Sequence, residues 1–197
     1  MPPLRPTSIE SPALMDLWAD IRRLSDSLGV PERGVQLITR LRTRLEAVAL
    51  RAAQQPQRLR VAFLVGLDPP VAAAGWIAEL VSLAGGEAVP GASAAAPCPL
   101  AMADLERGDP AVLVVALAGM DLPSALSAAQ RLTREPAWRA LRAVREGRLH
   151  VADGALFARP GPQAAEALET IAEMLHPAAF RFGHEGRAWK RVDGGGP

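Results

Sequence analysis

The chain has 197 residues, about half of them apolar, and its 22 basic side chains nearly balance 21 acidic ones for a formal charge of +1. That length can bury one sizeable core, while the charge balance gives no field of the kind that gathers nucleic acid or an anionic membrane, so neither partner is expected. Cys98 is the only cysteine, which excludes an intramolecular disulfide and a cysteine-clustered zinc or iron–sulfur site.

Residues 1–10 carry Pro2, Pro3 and Pro6 and hold no apolar run of signal-peptide length. No stretch reaches the ~20 apolar residues of a membrane span, and the sequence as written is expected to stay where it is made. Over residues 13–28, Leu14, Leu17, Trp18, Ile21, Leu24 and Leu28 recur at spacings of three and four. The spacing predicts a helix with one apolar face, capped by Ser8 or Ser11 and closed by Gly29. Pro31 suits the first position of a second helix reaching about residue 54, with Val35, Ile38, Leu41, Leu45, Val48 and Ala52 as its stripe. At 1.5 Å per residue it is about 35 Å long, enough to brace a whole lobe.

At Arg60 the period changes, and the apolar run 61–65 suits a parallel strand buried on both faces. There follow a helix over 74–84 stopped by Gly85 and Gly86, a short strand at 88–89, and a helix over 100–107. A strand at 111–117, helices over 124–133 and 136–146, a strand at 149–152 and a closing helix over 162–175 complete the series, the last with Ala164, Leu168, Ile171 and Leu175 facing inward. The alternation predicts an α/β fold, a Rossmann-like, doubly wound parallel sheet flanked by helices and preceded by a long connecting helix. The expected division is a leader and helical arm over 1–57, a lobe over 58–177 and a loose tail over 178–197, in which His184 and Glu185 are expected at the surface.

Three blocks carry a more specific signal. Residues 61–86, VAFLVGLDPPVAAAGWIAELVSLAGG, put a double proline after a strand and a double glycine after a helix. Residues 136–153, PAWRALRAVREGRLHVAD, lead a helix into a strand through Gly-Arg, and residues 153–177, DGALFARPGPQAAEALETIAEMLHP, set an RPGP loop before the last helix. Together with the proline-rich leader and the long helix, these blocks make roughly residues 4–177 resemble the connecting helix and second lobe of cobalamin-type and iron-siderophore periplasmic substrate-binding proteins of ABC importers. The chain departs from the pattern at Val65 and Gly66, where relatives carry Glu-Trp, and at Gln163, which stands for an arginine.

The resemblance implies a non-catalytic protein that binds a corrinoid such as cobalamin or an iron chelate. It implies a periplasmic or cell-envelope setting and, as partner, an ABC permease or a separately encoded first lobe; pairing with a second copy is the expectation if ligand binding has been lost. Docking on the permease would fall to Asp104 or Glu106. Ligands of open α/β sheets collect at the carboxyl ends of the strands, which makes the loops there the candidate site. Asp68 and Pro69 follow the first strand, Gly119 the central one, and Asp153, Phe157 and Arg159 the edge strand, with Trp76 opening the first helix of the lobe. Trp76 and Phe157 supply flat apolar surface and Arg159 a rigidly flanked donor, the residue types a macrocycle or chelate needs. Core packing is the alternative for Trp76, and a turn for Asp68 and Asp153. A protein-interaction module that has lost ligand binding is the alternative for the whole chain. No catalytic, metal or cofactor residue is assigned, because His150, His176 and His184 lie apart and no nucleophile elbow or phosphate loop occurs.

Overall fold

The computed structural model describes residues 12–89 and 96–192. Two antiparallel helices open them, α1 (Pro12–Ser27) and α2 (Pro31–Ala53). They turn through Gly29, whose φ of 68° falls where glycine carries no Cβ penalty. The expected caps at Ser8 and Ser11 lie outside the described residues. The α1 seam runs through Leu14, Trp18, Ile21 and Ser25, with Gly34 of α2 so near that a Cβ there would lie 2.2 Å from the Ser25 hydroxyl. Three members of the expected stripes therefore miss the core. Leu24 sits about 100° around the helix from Ser25, and it and Leu28 are 61% and 66% exposed. Val35 is exposed as well, whereas Ile38, Leu41, Leu45, Val48 and Ala52 are buried.

The sheet is built on β1 (Leu59–Leu67), β5 (Val112–Val115) and β6 (Leu149–Ala152), all parallel, with β3 (Gly86–Ala88) parallel to the first half of β1. Side chains alternate between two apolar clusters: Val61, Phe63, Val112 and Val114 face one, Ala62, Leu64, Leu113 and Val115 the other. This explains the unbroken apolar runs, since both faces are covered. On the first face lie α1, α2, α3 (Trp76–Leu83) and α9 (Ala164–Leu175). On the second lie α4 (Met102–Gly108), α5 (Leu122–Leu132), α6 (Pro136–Ala140) and α7 (Arg142–Arg145). The α/β class is as expected, with α2 packed lengthwise on α9.

Four features depart from the expectation. The chain after β1 does not run straight to α3 but folds back as β2 (Pro70–Ala72), antiparallel to β1, and β4 (Cys98–Pro99) adds to β2. The helix expected over 136–146 breaks at Leu141, whose ψ of 134° is extended, because its side chain and Trp138 both turn into the second cluster. A further turn of helix, α8 (Gly154–Phe157), follows β6. The tail is not loose as far as residue 192. β7 (Trp189–Arg191) pairs antiparallel with β6, and Phe180, His184, Trp189 and Val192 are buried. One buried carboxylate, Glu173 on α9, holds this segment by accepting the backbone N–H groups of Phe182, Gly183 and His184. His184 and Glu185 part company here, since His184 is buried while Glu185 stays exposed.

Candidate functional site

Leu64 of β1, Val115 of β5 and Val151 of β6 lie side by side in register, so the three parallel strands end at one edge of the sheet. Their following segments meet there around a cleft of about 360 Å³. Val65 comes from β1, residues 74–77 from the start of α3, Ala116 and Ala118 from the loop after β5, and Gly154 with residues 157–160 from the segment after β6. The small residues Ala74, Gly75, Ala116 and Ala118 leave the space that larger side chains would fill.

Trp76 and Phe157 form the floor rather than an open platform. Trp76 is 9% exposed and Phe157 3%, and both belong to the first core cluster. The Phe157 ring stands edge-on to Phe63 at 5.0 Å and tilted toward Trp76 at 6.4 Å, contacts that fix the rings and leave the cleft only their margins. For Trp76 core packing with Ile77, Leu80 and Val81 therefore dominates.

Arg159 stands at the rim. It is exposed, it lines the cleft, and its guanidinium makes no ion pair among the described residues. Its backbone carbonyl accepts the Gln163 side-chain amide at 2.8 Å, which with Pro160 and Pro162 fixes the loop. Among the described residues Arg159 is the only charged one lining the cleft. The amino terminus of α3 opens on the same space, and its N-cap residue, Gly75, makes no side-chain cap bond, so first-turn N–H groups add positive character.

The other expected site residues lie elsewhere. Asp68 and Pro69 form the exposed tip of the β1–β2 hairpin, between the paired Leu67 and Pro70, and do not line the cleft. Gly119 takes a φ of 74° in an exposed turn. Asp153 is the N-cap of α8, accepting from Ala155 N–H at 2.8 Å, and borders a separate hollow with Asp121 and Lys190. Asp104 is tied to Arg107 within α4, and Glu106 of the same helix is exposed.

Gly154 was not a candidate and is essential to the shape. Its N–H donates to the Met120 carbonyl at 3.2 Å, and a Cβ there would lie 1.9 Å from the Leu117 carbonyl oxygen. A glycine directly after a strand-ending aspartate is the only sequence trace of this approach. Also unforeseen is the polar chain behind the sheet. Arg44 of α2 binds both Glu169 oxygens at 3.0 and 2.8 Å, and Glu169 accepts from His184 at 3.0 Å. Arg187 donates to the other ring nitrogen of His184 at 2.8 Å and to Glu166 at 3.1 Å. Glutamates at 166, 169 and 173 follow helical spacing, which marks one acidic face, but only the tail's return buries it.

The chain matches no protein-family model and no curated protein sequence. Its fold matches solved structures. A substrate-binding protein of an ABC transporter from Listeria monocytogenes superposes with a TM-score of 0.75 at 22% identity, over 84% of this chain and 65% of that one. A periplasmic heme-binding protein from Pseudomonas aeruginosa gives 0.76 at 24%, over 92% and 66%. The periplasmic vitamin B12-binding protein BtuF of Vibrio cholerae gives 0.70 at 23%, over 86% and 64%. The chain has the fold of part of these periplasmic binding proteins and spans about two thirds of their length. No helix among the described residues is long and apolar enough to cross a membrane.

Proposed function

We propose that the chain is the second, ligand-gripping lobe of a substrate-binding protein serving an ABC importer, non-catalytic, and that its cleft takes one face of cobalamin or a related metal chelate. The observation that carries this reading is an arginine, Arg159, without an ion pair among the described residues and set over an apolar floor where three parallel strands end. Such a wall suits a flat ligand with an apolar body and oxygen acceptors at its edge, which a guanidinium fork engages in pairs. At about 360 Å³ the cleft is near the lower limit for small-molecule sites, in keeping with one wall of a larger site. The other wall would come from a separately encoded first lobe, and the exposed Glu106 on α4 is a contact for the permease. Solved neighbours named as periplasmic support a cell-envelope setting.

A second reading, an interaction module without a ligand, draws on the deep burial of Trp76 and Phe157 and on the exposed Leu24 and Leu28. Titration with cyanocobalamin and dicyanocobinamide, followed by absorbance and calorimetry, separates the two. Saturable binding supports the first reading. A flat response at ~100 μM ligand excludes an affinity better than about −5.5 kcal/mol and leaves the second.

A further inference from the structure

Arg159 and Pro160 separate the cleft from a second concavity of about 510 Å³ between the α1–α2 hairpin and residues 159–163. Its floor is apolar, made by Leu17, Ile21, Leu37 and Pro162, and Leu24 and Leu28 stand at its side with most of their surface in water. Projecting leucines beside an apolar hollow form the kind of patch that marks an interface.

We propose that this face pairs with a second copy of the chain. The patch carries both halves of a fit, so a two-fold axis lets the leucines of each copy enter the groove of the other, the self-complementary geometry an isologous dimer requires. The charges around the groove agree. Asp20, Arg33 and Arg159 all line it, so the patch holds opposite charges that a two-fold can pair between copies. Arg33 makes no ion pair among the described residues, and the bond of Asp20 to Arg23 is an exposed contact one turn along α1 that costs little to exchange. Because Arg159 borders both hollows, the second copy reaches the edge of the cleft. The pairing itself does not depend on a ligand.

Sedimentation velocity and light scattering of the full chain from ~1 to ~200 μM test this without ligand. The mass is expected to rise toward twice 20.8 kDa. Leu24→Glu with Leu28→Glu should hold it at the monomer value with an unchanged thermal melt, since both side chains are exposed, while Leu50→Glu, on a different exposed site of α2, should leave the dimer intact. Asp20→Arg should weaken association about tenfold and Asp20→Arg with Arg33→Asp restore it. A monomer across the whole range, or a dimer indifferent to the two leucine changes, overturns the proposal. In the first case residues 1–11 or a different protein would be the occupant of the groove. Neither result bears on ligand titration, so the two readings fail separately.

Discussion

Trp189 donates its indole N–H to the Glu173 carboxylate at 3.0 Å, joining the last strand to the last helix across the first face of the sheet. The same carboxylate accepts from Gly183 at 2.7 Å and from His184 at 3.1 Å, and also from Phe182. Hydrogen bonds to a charged group contribute about 1.5–3 kcal/mol each, and orphaned buried donors are costly. Glu173→Ala is therefore expected to lower stability by about 3 kcal/mol and Glu173→Gln by about half of that, measured by urea unfolding. A loss below about 0.5 kcal/mol for the alanine variant would show that the tail does not depend on this residue.

Burial works against ionisation of Glu173, but its bonds from Trp189, Gly183, Phe182 and His184 outweigh it and hold the carboxyl below its ordinary 4.5. Its contribution is complete above pH 4.5 and fades as pH falls through the lower folded value. His150 acts at higher pH. Burial, then Arg191 and Arg148, push it down to about 3 from 6.5, so the folded chain keeps it neutral while the unfolded chain takes up a proton below 6.5. Stability therefore falls by about 1.4 kcal/mol per pH unit from this group as pH drops from 6.5 toward 3. His176, lowered chiefly by burial, adds in the same direction. His150→Leu should flatten the urea midpoint between pH 6 and pH 5; an unchanged slope would refute the assignment.

At Gly154 a methyl group would meet backbone on two sides, with the Leu117 carbonyl oxygen at 1.9 Å and that of Met120 at 3.1 Å. Neither can rotate away, so Gly154→Ala should cost about 3 kcal/mol or more by forcing the two loops apart. Gly119→Ala is the control. Its φ of 74° is strained for any other residue but its surroundings are open, and a cost of about 1–2 kcal/mol is expected in the same denaturation assay.

Arg159→Ala should reduce affinity for dicyanocobinamide about tenfold or more while leaving the melting temperature unchanged, because the side chain is exposed. Asp68→Ala, at the hairpin tip away from the cleft, should leave affinity within twofold. Calorimetric titration of both variants reads the difference directly, and equal losses would move the ligand away from the cleft.

What was legible in the sequence follows from what decides each element. The runs 61–65 and 111–117 read as buried strands because alternate residues of β1 and β5 enter two apolar clusters, leaving no polar face to obscure the signal. β2, β4 and β7 are two or three residues long, too short to show a period, and exist because an adjacent strand edge is open to pair with them. The tail looked polar because its burial depends on Glu173, a residue whose own position reads as a helix surface. For the site, the strand-end rule brought Arg159, Phe157 and Trp76 to one cleft. It did not separate residues facing that cleft from those, such as Asp153, whose side chains satisfy a helix end.

The cleft is tested most directly by hydrogen exchange of the intact chain with and without saturating dicyanocobinamide. Slower exchange confined to the α3 start at residues 74–77 and the loop at 154–159, with α4 unaffected, is the predicted result. Binding that protects other segments, or that leaves these two unchanged, would contradict the placement of the ligand at the carboxyl edge of the sheet.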